Sequence, residues 1–152
     1  MTNKLTGCFA IDPGNEQSAF VRICDSEIRQ AAIVPNSEMR EILRGQIGIP
    51  VACEWFVPRG MPASKEDMET IAWCGRFWEI CELAGLAFHR IRRIDVKLHV
   101  CGNSRATDSN IIAALKDLWG PKGTKKEPGP SYGLKADMWQ ALGVAVTFLN
   151  LT

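Results

Sequence analysis

The sequence predicts an α/β fold, a mixed sheet of about five strands flanked by helices. Two observations carry this. Short apolar runs such as Cys8-Phe9-Ala10-Ile11 and Ile49–Trp55 are bounded by Pro, Gly or an acid, as buried strands are. Longer capped segments of helical spacing lie between and after them, so strands gather early and helices cover the sheet. With 152 residues the chain suits one domain, 1–152, with a core that needs no disulfide staples.

The first strand ends in Asp12 and turns at once through Pro13-Gly14, and Ser18 to Cys24 reads as its hairpin partner. Glu27 to Val34 is a third strand. Pro35-Asn36-Ser37 opens a short helix that runs through Leu43 and stops at Gly45. The nearly continuous apolar run Ile49–Trp55 is a central strand with Glu54 at its end. Ser64 followed by Lys65-Glu66-Asp67 is an N-cap with acids in the first turn, and that helix continues to Glu82 or Leu83 before Gly85. Its apolar surface is wider than one stripe, and part of it can meet another subunit. Leu86 to Ile91 is a further strand. Helices are expected over about Ala106–Trp119, ended by Gly120-Pro121, and about Leu134–Leu149, with Asp137 in the first turn. The stretch 120–133 is a loop rich in Gly, Pro and Lys.

Composition is that of an ordinary globular domain, 46% hydrophobic and 23% charged. The N-terminus MTNKLTG has no apolar signal-peptide core, and no apolar stretch is long enough to span a bilayer. Six cysteines without a CxxC pair exclude zinc-finger spacing and fit a reduced, cytoplasmic protein. The net charge of +1 conceals an asymmetry: residues 90 to 135 hold ten Lys or Arg against four acids, hence +6, which leaves −5 for the remainder. A basic segment of this kind fits an anionic partner, although solvated helix faces also collect Lys and Arg.

Asp12 and Glu54 close two strands, and Asp137 stands at the start of the last helix. Hydrolysis of a phosphodiester by two Mg²⁺ ions needs such a set. Hard cations take oxygen ligands, and anionic oxygens must offset two dications held ~3.5–4 Å apart. Each acid also has a structural reading: a turn-former at Asp12, an exposed strand end at Glu54, a favourable helix-dipole contact at Asp137. Glu54 is the hardest to dismiss, because a carboxylate behind Val51-Ala52-Cys53 is costly to bury without a cation or charged neighbour.

Four segments in order resemble the RuvC-like Holliday junction resolvases of the RNase H-like superfamily, most closely the phage-encoded members. AIDPGNEQSAFV is similar to that family's first strand, and VACEWF to the strand ending in its catalytic Glu. DVKLHVCGNSRATDSNI resembles its Val-Lys element, glycine loop and following helix. ADMWQALGVAVTFL resembles its last helix, where an acid-x-x-acid pair precedes Ala-Leu-x-x-Ala. The resemblance implies a Mg²⁺-dependent endonuclease, with Mn²⁺ as a substitute ion, that acts on branched DNA as a homodimer in a bacterial or phage-infected cell. By that likeness Asp12 bridges two metals, and Glu54 and Asp137 each complete one. Gln140 stands where the family has its final acid and brings an amide oxygen without charge. Lys97 matches a phosphate-binding lysine. Asp108 reverses the charge of a second family lysine, for which Arg105 is a candidate replacement; Asp108 can alternatively approach a metal.

Trp55 and Phe56 follow Glu54 directly and suit base stacking at ~1–3 kcal/mol per base, or equally burial under the next helix. Arg59, in the same loop, and Lys122, Lys125 and Lys126, in a flexible loop, are candidates for phosphate contact. His89 and His99 lack a second ligand at metal spacing and read as structural. Rival functions remain open: a related nuclease on structured RNA or flaps, a junction-binding module without cleavage, and a domain used only for protein contacts.

Overall fold

The computed structural model describes residues 6–57 and 60–151. A five-stranded mixed sheet forms the middle layer, built from β1 (Gly7–Asp12), β2 (Gln17–Cys24), β3 (Glu27–Pro35), β4 (Val51–Trp55) and β5 (Phe88–Arg92) in the order β3-β2-β1-β4-β5. β1–β2 and β2–β3 pair antiparallel, whereas β1–β4 and β4–β5 pair parallel. The central β1 has four fully buried residues in a row, Cys8 to Ile11, which is why it reads as one apolar run.

Alternation along the strands divides the core in two. Phe9, Ile11, Phe20, Val51 and Cys53 face α1 (Asn36–Arg44) and α2 (Lys65–Leu83). Phe9 stacks on Phe20 with ring centroids 4.7 Å apart. Cys8, Ala10, Val21 and Ala52 face the other layer, made by α3 (Arg93–Cys101), α4 (Asp108–Trp119) and α5 (Met138–Leu149). α5 is buried almost throughout and lies against the sheet centre. A Cβ on its Gly143 would stand 3.1 Å from Val96 Cγ1, so the glycine lets α3 approach closely.

Element ends differ from expectation in three informative places. α3 was not anticipated, because β5 passes into it without a break: Arg92 ends the strand and caps the helix, and Asp95 Oδ2 accepts the Arg92 N–H at 3.3 Å. α5 begins at Met138 rather than Leu134, so Asp137 is its N-cap and lies outside the first turn. The turn of backbone before it passes through Ala136 at φ 47°. The 120–133 loop, expected to be flexible, is folded back on itself. Gly123 and Pro128 form a bridge, Gly129 N–H bonds Lys122 O at 2.8 Å, and Glu127 N–H bonds Thr124 Oγ1 at 3.1 Å. Among the described residues no helix is long and apolar enough to cross a membrane.

A candidate carboxylate centre at the ends of β1 and β4

The register of two parallel strands assembles the centre. Ile11 pairs with Cys53, so the next residues along, Asp12 and Glu54, lie side by side at the same end of the sheet. They share strand parity with Ala10 and Ala52, which face α5, and so both carboxyls point to the helical layer that carries Asp137 and Gln140. The turn after Asp12 is locked by a buried polar network. Gly14 N–H donates to Ser18 Oγ at 3.2 Å, Ser18 Oγ–H to Asn36 Oδ1 at 2.6 Å, and Asn36 Nδ2 to Gly14 O at 2.9 Å. A Cβ on Gly14 would lie 2.3 Å from Gln17 O, so the turn admits no larger residue without moving.

The Asp12 and Glu54 carboxyls stand within hydrogen-bonding reach of each other. Burial pushes the Asp12 carboxyl well above the usual carboxylate range. The Glu54 charge, hydrogen bonding to Glu54 and the Asp137 charge push it further, and Arg93 opposes them. Asp137 is therefore within electrostatic reach of Asp12. It is exposed and makes no side-chain capping bond at α5, so its carboxylate is not engaged by the helix it precedes.

Arg93, the first residue of α3, belongs to the centre although no sequence motif marks it. Its Nη1 donates to Glu54 Oε1 at 3.1 Å and to Gln140 Oε1 at 3.4 Å, and its Nη2 pairs with Asp108. Gln140 is buried and Glu54 nearly so, with 14% of the Glu54 side chain exposed. In the sequence Arg93 is one of ten positive charges of the basic segment. The signal that pointed to it was the need of a buried Glu54 for a cation. As placed, among the described residues no three His, Cys, Asp or Glu side chains are close enough to share one metal ion. The donor chemistry still suits a hard cation: the groups are all oxygens, and the repulsion that Asp12 feels exceeds what Arg93 relieves. Of the expected ligands, Asp12 and Glu54 lie side by side, Gln140 is linked to Glu54 through Arg93, and Asp137 stays within electrostatic reach of Asp12.

The other candidates fall around this centre unevenly. Lys97 lies one turn after Arg93 on α3, and Asp108 opens α4 beside the guanidinium. Arg105 is exposed in the connection before α4, with its N–H on Asn103 Oδ1 at 2.9 Å. Trp55 stays in β4 on the sheet face opposite the acids. It packs edge-on against Trp78 at 5.7 Å and Phe88 at 6.5 Å, with Arg90 over its ring at 5.4 Å. Phe56 is half-buried and, with Pro13, Glu54, Met61 and Arg93, lines an open cleft of about 620 Å³ beside the centre. Lys122, Lys125 and Lys126 are exposed on the folded loop, and Arg59 lies outside the described residues. His99 Nε2 is bonded to Leu151 O at 2.7 Å and His89 packs on Phe148 at 4.7 Å, in keeping with structural roles.

No protein-family model matches the sequence, and no curated protein matches it. Solved structures do. T. thermophilus RuvC in complex with a Holliday junction substrate superposes with a TM-score of 0.69 at 16% identity, covering 93% of this chain and 92% of that one. A second Thermus thermophilus RuvC structure gives 0.63 at 18% identity with the same coverage. Over nearly its whole length this chain has the fold of the RuvC structures, a five-stranded mixed sheet flanked by helices.

Proposed function

We propose that this protein is a Mg²⁺-dependent, structure-specific DNA endonuclease that resolves four-way junctions by paired nicks, working as a homodimer. The observation that carries the proposal is the Asp12–Glu54 carboxyl pair, set by strand register and facing Gln140. It is supported by a fold shared with a RuvC structure bound to a Holliday junction. Two bound divalent ions would supply an activated water and stabilise the leaving oxygen of the phosphodiester. Asp12, Glu54, Asp137 and Gln140 are the residues that would hold them. The Pro13-Gly14 turn and its Ser18–Asn36 network keep Asp12 in a fixed pose, as a ligand on a rigid strand end requires.

Lys97, one turn along α3, and the exposed Arg105, Lys122, Lys125 and Lys126 supply positive charge for the phosphate backbone, with Phe56 in the cleft lining for an unpaired base. A junction has approximate two-fold symmetry, so two subunits with one site each make two nicks. The test is a labelled synthetic four-way junction with and without Mg²⁺ or Mn²⁺, beside linear duplex, flap and RNA hairpin. Ion-dependent symmetric nicks are expected on the junction. Asp12→Asn and Glu54→Gln should abolish them while binding persists; full cleavage by both variants would refute the assignment.

A second reading has its own support: Gln140 brings no charge, and Arg93 already neutralises Glu54, as a non-cleaving junction-binding module would allow. It predicts tight junction binding with no ion-dependent product.

A further inference from the structure

Arg93 is the one residue of the centre that a set of metal-binding carboxylates does not call for. The chain delivers it there through topology. β5 runs parallel beside β4 with Arg92 opposite Trp55, so the next residue emerges at the end of the sheet that carries Glu54. A guanidinium is a planar fork able to serve several acceptors at once, and this one does. Nη1 is directed at both Glu54 Oε1 and Gln140 Oε1, and Nη2 at Asp108. The inner two acceptors are largely buried, whereas the Asp108 side chain is 64% exposed at the first residue of α4. Arg93 is thus held at an inner end, where the oxygens suit a divalent ion, and at an outer end in solvent. A divalent ion drawn to Glu54 Oε1 and Gln140 Oε1 would stand beside the guanidinium bonded to the same two oxygens, and the two cations would repel each other.

We infer that Arg93 is a built-in counter-cation that a divalent ion displaces from Glu54 and Gln140, and that Asp108 retains the guanidinium when it swings outward. The inference rests on the divalent-ion reading above. Arg93 and Asp108 are positioning residues: they act through Glu54 and Gln140 and set the ion concentration at which the centre loads. In the ion-free protein the guanidinium bonds Glu54 and Gln140 and balances the buried carboxylate. On loading, the Nη1 bonds are exchanged for oxygen–metal contacts while the Nη2–Asp108 pair remains, so no charge is left buried without a partner.

The experiment is a calorimetric Mn²⁺ titration of the full chain without DNA, at fixed pH and ionic strength. Wild type is compared with Arg93→Met, Arg93→Lys, Asp108→Asn, Asp12→Asn and the Arg93→Met/Asp108→Asn double variant, each first checked for folding by circular dichroism. Arg93→Met should bind Mn²⁺ on the order of tenfold more tightly, since a positive charge beside the ion is gone. Arg93→Lys, which keeps the charge, should stay within about twofold to threefold of wild type and thereby shows that a gain in the Met variant is not a packing effect. Asp108→Asn should weaken binding several-fold by committing the guanidinium to Glu54, and should have little effect once Arg93 is Met. Unchanged or weaker Mn²⁺ affinity in Arg93→Met, with binding abolished in Asp12→Asn, would overturn the counter-cation and leave the divalent-ion reading standing. Equal loss from Asp108→Asn in both backgrounds would overturn its role as the outer anchor. Absence of Mn²⁺ binding in both wild type and Arg93→Met would remove the two readings together.

Discussion

Replacing Asp12 by Asn should stabilise the ion-free protein. Asp12 is partly buried beside Glu54, is hydrogen-bonded to it and feels Asp137 as well. Two unit charges ~4 Å apart at an effective dielectric constant of ~20 repel by roughly 4 kcal/mol. The raised proton affinity of Asp12 avoids part of that, so about 2 kcal/mol remains for an amide to recover at neutral pH. In a domain of 152 residues each kcal/mol moves Tm by about 2–4 °C, which gives a rise of about 4–8 °C. The pH dependence has a definite sign. The folded chain keeps a proton on Asp12 above the ordinary value of 3.8 while the unfolded chain has released it. Stability is thus fuller at low pH and falls as pH rises through that window, and Asp12→Asn should flatten the fall. Divalent ion should reverse the order: at a concentration 100 times its Kd it stabilises the wild type by about 2.7 kcal/mol and the Asn variant by much less. Thermal unfolding of both proteins in EDTA and in Mg²⁺, between pH 5 and 8, checks each statement. An Asn variant that melts below wild type in EDTA would refute the account of the Asp12–Glu54 pair.

Three further outcomes are expected. Lys97→Ala should weaken junction binding and reduce the slope of log K against log salt by about one, as loss of a phosphate contact does; an unchanged slope in a filter-binding titration would place Lys97 away from phosphate. Burial pushes the Cys8 thiol up to about 12 and the Cys81 thiol up to about 11, and Cys53 and Cys74 are also buried, so native-state alkylation should label Cys24 and Cys101 first when read by peptide mass mapping. Asn36→Ala removes the buried side chain that ties Ser18 to the Gly14 carbonyl, and should cost about 1–3 kcal/mol in chemical denaturation with a parallel loss of divalent-ion affinity.

The strands were legible in the chain because their residues have one physical choice. Cys8 to Ile11 is apolar at every position and stopped by Pro13-Gly14, so it can only be a short element buried on both faces. The capped helix from Ser64 was equally plain, and its capping box is present, with Asp67 N–H on Ser64 Oγ at 3.0 Å. α3 was not legible. Neither Gly nor Pro separates it from β5, a single residue of it is fully buried, and its N-cap is an arginine. Asp137 stands out in the sequence as an acid near a helix start, but its place relative to that helix depends on one left-handed residue, Ala136, that composition does not announce.

The amino-acid order by itself determined that Asp12 and Glu54 end two apolar strands and that a buried Glu54 requires a positive partner. Only the folded chain decided that the strands are parallel neighbours in a register that sets the two carboxyls side by side, and that Arg93 supplies the charge. Register and partner choice are contacts between residues about forty positions apart. They are fixed by how sheet and helices close around a shared core, and no local pattern in the chain encodes them.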